Sequence, residues 1–339
     1  MAKNELENIS EIDLCLGNNE KKDIVNIVEQ YINQNKRISS IVDVNKEKEF
    51  LEMGIISFSE KTRATIKIQD GCNNFCTYCL IPYARGRVRS RKKEKIIEEV
   101  KKVAEKGIKE IVITGIHIAS YGIDFEEKYR LIDLLEDLNK IDGIKRIRLG
   151  SLEPTIITQE FVNRLSKLEK ICNQFHLSLQ SGCDTTLKRM NRKYTCSQFL
   201  EVVSLLRNNI KEVNLTTDII VGFPGETEEE FEETYKFLEK VKFYKMHIFK
   251  YSPRKGTVAA GMKNQIDGKV KEERSQKLIE LSNKNQEEYN KKYLGQYMEV
   301  LFEEKKNNKW VGYTTNYIKV TYDSTENLEN EIKLVPVIA

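Results

Sequence analysis

Gly71-Cys72-Asn73-Asn74-Phe75-Cys76-Thr77-Tyr78-Cys79 follows directly on the alternating run 64–69, which reads as a β-strand. Three cysteines therefore share one strand-to-helix loop at the spacing C-x3-C-x2-C. Three thiolates on a tight loop suit three corners of a 4Fe–4S cluster and leave one iron open. An open iron can take the amino and carboxylate groups of S-adenosylmethionine (SAM), whose reductive cleavage is chemistry that belongs to the cofactor. The residues alone also admit a zinc knuckle or three buried thiols. Zinc takes four ligands, however, and no fourth Cys or His lies nearby in sequence. Buried structural cysteines rarely crowd into a polar, Asn-rich loop.

Outward from this loop the pattern alternates between strands and helices. Strands are expected over 64–69, 110–114, 146–149, 174–179, 214–221 and 245–249. Helices are expected over 93–106, 131–139, 160–167, 197–208 and 228–241. Thr195 with Gln198 and Thr227 with Glu230 have the spacing of capping boxes, which satisfy free amides at a helix start. Six βα repeats imply an α/β fold with a parallel sheet, either doubly wound or a partial (βα)6 barrel, with its chemistry at the strand C-termini. A long charged helix over 268–292 follows, then short β-type runs over 297–302, 310–313 and 318–322, the pattern of a small C-terminal β-barrel. Residues 1–35 read as a strand (11–16), a turn and a helix (21–33), too small to bury a core. The domains expected are 1–35, a linker over 36–61, a catalytic unit over 62–290 and a terminal barrel over 291–339.

Composition narrows the class. The 339 residues are 40% hydrophobic and 32% charged. No run approaches the ~18 apolar residues of a membrane helix, and the polar N-terminus lacks a signal-peptide core. A cytoplasmic protein without membrane contact is expected. Seven cysteines, an odd number, argue for metal chemistry over a disulfide framework in a reducing compartment. A net charge of +4 does not by itself announce a nucleic-acid binder.

The words around the cysteines, Lys67-Ile-Gln-Asp-Gly-Cys72 through Cys79-Leu-Ile-Pro-Tyr-Ala-Arg-Gly-Arg-Val-Arg-Ser-Arg91, resemble the radical-SAM methylthiotransferase family. Within it, the Arg-Ser-Arg ending at Arg91 and Arg146-Ile-Arg-Leu-Gly-Ser-Leu-Glu-Pro154 resemble the branch acting on N6-threonylcarbamoyladenosine (t6A) in tRNA. The resemblance runs from Gly17-Asn-Asn-Glu-Lys21 to the terminal barrel, which is similar to a TRAM domain. It implies replacement of the hydrogen on carbon 2 of t6A, next to the anticodon, by a methylthio group. One SAM donates the methyl and another supplies a 5′-deoxyadenosyl radical. The implied partners are the tRNA anticodon stem-loop and an electron donor of the flavodoxin or ferredoxin type.

By this reading Cys72, Cys76 and Cys79 hold the cluster. Tyr78, Gly115, Ser151, Glu153, Gln180, Arg192, Asp218 and Gly222 lie at or near strand ends, where SAM contacts are expected, and His117 lies near them. The run Arg85-Gly-Arg87-Val-Arg89-Ser-Arg91, if extended, points four guanidinium groups one way, as phosphate contacts require. Its bland alternative is a solvated loop. Lys188, Arg189, Arg192 and Lys193 form a second basic group. Trp310, Tyr313 and Tyr317 suit either base stacking or the barrel's own core. His176 and His247 fall in strands as core or rim residues. Cys15, Cys172 and Cys196 read as structural, and Cys183 as a thiol near the rim.

Family members also carry three further cysteines for a second 4Fe–4S cluster, in an N-terminal domain. Only Cys15 precedes Cys72 here, so ligands for that cluster are not assigned, and this chain by itself is expected to cleave SAM without completing sulfur insertion. Two rival readings are a non-catalytic tRNA-binding remnant with zinc at the cysteines, and a methylthiotransferase acting on a ribosomal protein.

Overall fold

In the computed structural model, residues 6, 8–52 and 62–338 are described. Part of the expected linker, 53–61, and residues 1–5 and 7 lie outside them.

The strands are β1 (Leu14–Leu16), β2 (Ile38–Ser40), β3 (Arg63–Asp70), β4 (Arg89–Ser90), β5 (Glu110–Gly115), β6 (Arg146–Leu149), β7 (Gln174–Gln180), β8 (Asn214–Val221), β9 (Lys245–Lys250), β10 (Tyr297–Lys306), β11 (Lys309–Thr314), β12 (Lys319–Tyr322) and β13 (Ile332–Pro336). The helices are α1 (Ile24–Gln34), α2 (Ile81–Arg85), α3 (Lys93–Glu105), α4 (Leu131–Asn139), α5 (Gln159–Leu165), α6 (Asp184–Arg189), α7 (Cys196–Asn209), α8 (Glu228–Val241) and α9 (Gly268–Lys291).

All six expected barrel strands form. β3, β5 and β6 run parallel in one sheet and β7, β8 and β9 in a second. Parallel bridges from Ile147 to Ile171 and from Leu152 to Leu177 join the two into one curved wall. Alternation decides which face is which. Ala64, Ile66 and Ile68 of β3 and Ile111 and Ile113 of β5 are fully buried, in one core with Val100 and Val103 of α3 and Leu134, Leu135 and Leu138 of α4. The intervening Thr65, Lys67, Val112 and Thr114 face the barrel interior and remain partly or fully exposed. The interior is therefore a solvent-accessible cavity. Helices start where the sequence supplies caps: the Thr195 and Thr227 hydroxyls accept from the Gln198 and Glu230 amides, and both boxes close.

The register of the first three strands places Arg63, Glu110 and Arg146 in one row at the barrel's N-terminal mouth. The terminal sheet, in the order β12-β11-β10-β13, packs over this mouth. Arg146 donates to the Tyr313 and Glu299 carbonyls at 2.9 Å each, and Asn214 Nδ2 donates to the Asn316 carbonyl at 2.7 Å. The expected small barrel is thus an antiparallel sheet whose edge strands β12 and β13 do not pair with each other. β13, absent from the expected elements, pairs with β10. In the N-terminal segment β2, inside the expected linker, pairs in parallel with β1. No helix among the described residues is long and apolar enough to cross a membrane.

Candidate active site

The cysteine loop is held by side chains that the sequence left unremarked. Gln69, fully buried at the end of β3, donates to the Asp70 and Gly71 carbonyls at 2.7 Å, and its Oε1 accepts from the His117 amide at 2.8 Å. It ties the loop to the end of β5. Asp70 accepts from the Gly71 amide at 2.8 Å. Gly71 has φ +73°, and a Cβ there would stand 1.8 Å from the Arg87 carbonyl oxygen, so only glycine allows the chain through. From the other side, Asn191 Nδ2 donates to the Phe75 carbonyl at 3.0 Å, the Thr77 amide to the Met190 carbonyl at 3.1 Å and the Thr77 hydroxyl to the Arg189 carbonyl at 2.9 Å.

The three thiols are half-buried and unpaired with one another. Amides of Asn74 and Ile81 point at Cys72 Sγ and Cys79 Sγ, 3.4 Å each, and Arg192 Nη1 donates to Cys76 Sγ at 3.3 Å. Burial pushes the Cys72 and Cys79 thiols up. Each sulfur thus faces an N–H donor, and three such thiols on one loop suit the three protein corners of a 4Fe–4S cluster.

Arg192 is the hub. Besides Cys76 it reaches Glu153 Oε2 at 2.9 Å, the Tyr194 hydroxyl at 2.9 Å and the Ser178 carbonyl at 3.0 Å. Burial alone would lower its pKa, but the surrounding Tyr194, Tyr78, Glu153 and Cys76 raise it, and the guanidinium stays charged. Glu153 is buried, and its Oε2 lies 3.5 Å from His117 Nε2. His117 in turn meets Asn74 of the cysteine loop at 3.4 Å. Tyr78 packs edge-on against Phe223, in a cluster with Met190, Tyr251 and Ile220.

The other expected SAM contacts, Asp218 apart, lie at or just past strand ends, in differing surroundings. Gly115 packs against Gln69, Ser151 is exposed, Gln180 takes a left-handed φ of 73°, and Gly222 lies beneath the Lys271 side chain. Asp218 is not at the rim. It sits within β8, facing the barrel interior beside His176, because the strand continues to Val221.

The arginine run is not one face. Gly86 turns the chain after α2, and β4 is only two residues long. Arg87 is exposed and lies over the Phe75 ring at 4.6 Å, and Arg85 is part-exposed with Asn18 at 2.8 Å. Arg89 is 1% exposed and donates to the Arg85 carbonyl at 2.8 Å. Arg91 is buried between Glu52 and Glu99. Arg89 and Arg91 are therefore withdrawn as phosphate contacts. In the second basic group Arg189 is paired with Glu230 at 2.8 Å and Arg192 with Glu153, which leaves Lys188 and Lys193 exposed. Trp310 is buried and donates to the Glu326 carbonyl at 2.9 Å. Tyr313 and Tyr317 stack at 4.9 Å with Arg63 and Arg148 against them. Trp310 belongs to the terminal sheet's own core, and the half-exposed Tyr313 and Tyr317 help to seat that sheet on the barrel. Cys183 is fully buried and its thiol pushed up, so it is not a reactive rim thiol, and burial lifts Cys172 to about 11.

Comparison with known proteins agrees with the geometry. Residues 66–238 match the Radical SAM superfamily. The chain is 41% identical over 98% of its length to the threonylcarbamoyladenosine tRNA methylthiotransferase MtaB of Bacillus subtilis, covering 75% of that protein. It is 40% identical over 98% to the Aquifex aeolicus protein of the same name, covering 79% of it. A tRNA-2-methylthio-N(6)-dimethylallyladenosine synthase of Thermoanaerobacter sp. is 43% identical over 88% of the chain and 63% of that protein. Among solved structures, the radical SAM methyltransferase TsrM of Kitasatospora setae, with cobalamin and a [4Fe-4S] cluster bound, shares the fold at a TM-score of 0.50 and 17% identity, over 58% of this chain and 36% of that one. The chain belongs to the radical-SAM superfamily and, within it, to the methylthiotransferases, enzymes of a 4Fe–4S cluster and SAM.

Proposed function

We propose that this protein transfers a methylthio group to carbon 2 of t6A next to the tRNA anticodon by SAM-derived radical chemistry, in the cytoplasm where tRNA is found. The observation that carries this reading is the match over 98% of the chain to two proteins named for t6A methylthiotransfer. Cys72, Cys76 and Cys79 hold the cluster, and the cluster's chemistry when bound is reductive cleavage of SAM to a 5′-deoxyadenosyl radical. Arg192 donates to Cys76 Sγ and pairs with Glu153 in a dry site, which fixes the position of both. Tyr78 and the strand-end groups Gly115, Ser151, Gln180 and Gly222 form the rim around SAM. Arg85 and Arg87, with Lys188 and Lys193, supply phosphate contacts to the stem-loop. Residues 62–290 form the catalytic unit and 291–339 a TRAM-like unit that offers RNA its exposed lysines. A flavodoxin- or ferredoxin-type protein supplies the electron.

The test is isotopic. Anaerobically reconstituted protein is given SAM, reductant and an anticodon stem-loop whose t6A carries deuterium on carbon 2. Deuterium in the 5′-deoxyadenosine product supports the reading. Its absence there, with transfer instead from a dimethylallyladenosine stem-loop or a ribosomal protein, overturns it.

A further inference from the structure

His176 of β7, Asp218 of β8 and His247 of β9 are far apart in sequence, yet their ligand atoms all lie within 4.8 Å of one another on the inner barrel wall. The mechanism above gives them no role. Their depth is fixed by the strands. Ser178, the next inward residue after His176, offers its carbonyl to Arg192, which touches Cys76. Ile220, the next inward residue after Asp218, packs in the cluster that includes Tyr78. Two residues of strand rise about 7 Å, so the trio lies one pleat repeat beneath the cluster layer, in the same cavity.

Its surroundings are polar on one side only. Gln174 Nε2 donates to the Thr216 hydroxyl at 3.1 Å, and that hydroxyl pairs with His176 Nδ1 at 3.1 Å, which occupies one ring nitrogen and leaves Nε2. Nε2 is buried and stands 3.2 Å from Asp218 Oδ2, but off line, and it makes no hydrogen bond. A buried ring nitrogen without a partner calls for a ligand. On β9, Lys245, His247 and Phe249 share the inward face. Phe249 is a large aromatic left 53% exposed, one repeat nearer the cluster.

The geometry points to this trio as the specificity pocket for the polar N6 substituent of the substrate adenosine, a deepening that rests on the t6A reading. Carbon 2 and the N6 group lie on the same edge of the purine, so a base with carbon 2 at the cluster layer must direct its substituent into the adjoining wall. A threonylcarbamoyl group carries N–H donors, a hydroxyl and a carboxylate. Asp218 accepts from the N–H or hydroxyl, His176 and His247 donate to the carboxylate, Lys245 adds positive charge, and Phe249 stacks on the base. A hydrocarbon substituent would leave these groups unpaired and would be rejected for that reason.

Binding of three anticodon stem-loops, carrying t6A, its methyl ester or unmodified adenosine, is measured by fluorescence anisotropy on the reconstituted protein. Wild type should prefer the free acid over the ester roughly tenfold, equivalent to about 1.4 kcal/mol. His247→Ala should reduce that ratio to about twofold or less, and Asp218→Asn should instead reduce the preference for t6A over unmodified adenosine, with circular dichroism confirming that both fold. A selective wild type whose selectivity both variants retain overturns the pocket alone. A wild type indifferent to the substituent overturns the t6A reading and the pocket with it. Tight cobalt(II) binding with visible absorption that His247→Ala abolishes would also overturn the proposal, by making the trio a metal centre.

Discussion

The barrel has two mouths, both rich in buried charge, and they are built for opposite purposes. At the N-terminal mouth Glu110 faces Arg148 at 2.9 Å, Arg63 at 3.8 Å and Arg146 at 3.9 Å, while further donors of Arg146 and Arg148 end on carbonyls of the terminal unit and those of Arg63 on Glu303 and the Tyr317 hydroxyl. At the C-terminal rim Arg192 and Glu153 are equally dry, but there one guanidinium donor is turned toward Cys76, a thiol of the proposed cluster loop. A closed network holds two layers together. An open one waits for a group that the chain does not itself supply. The lesson is that burial and pairing do not separate structural from functional arginines in this fold, whereas the end of the barrel does.

The comparison is broken most severely at the rim. Cys79→Ala should take iron from about four per chain to near background after reconstitution, with little change in the apo protein's denaturant midpoint because the thiol is half-exposed. An unchanged iron content would show that the loop is not the cluster site. At the other mouth, Glu110→Ala leaves Arg146 and Arg148 buried without their carboxylate and should cost about 3–5 kcal/mol in urea unfolding. Iron content per folded molecule should be unchanged. A loss of stability below about 1 kcal/mol would contradict the account of this mouth as the clamp. Within the arginine run the same logic divides neighbours. Arg87→Ala should lower stem-loop affinity and reduce the salt slope by about one phosphate contact, whereas Arg89→Ala should lower stability and leave the slope alone. The reverse pattern would restore Arg89 as an RNA contact.

The smallest effect is a titration. Arg189 beside Glu230 holds that carboxyl below its ordinary value. A depressed carboxylate stabilises the fold above the unfolded pKa of about 4.3, and that contribution fades as pH falls through the lower folded value. The pair is partly exposed, so on the order of 0.5–1 kcal/mol is at stake. Urea midpoints measured from pH 6 down to pH 3 should converge between wild type and Arg189→Met at the acid end. A constant gap would assign the pair no electrostatic part.

Legibility in the sequence followed the range of the interactions. The six barrel strands and the caps at Thr195 and Thr227 are local patterns, and both were readable. β2 and β13, of three and five residues, depend on distant partners for their existence. The arginine run misled because an i, i+2 argument holds only for an extended chain, and Gly86 breaks the extension. Gln69 and Asn191 carried no signal at all, since a single amide becomes meaningful only when the loop it fastens is folded beside it. His176, Asp218 and His247 were invisible together for the same reason, although each lay in a strand that the sequence placed.

The central claim is a radical cluster on Cys72, Cys76 and Cys79, and 5′-deoxyadenosine formation tests it most directly. Anaerobically reconstituted wild type and Cys76→Ala are incubated with SAM and a strong reductant, and the nucleoside is quantified. The account predicts 5′-deoxyadenosine from wild type and none above background from Cys76→Ala. Equal formation by both, or none from wild type purified with zinc in place of iron, would contradict it.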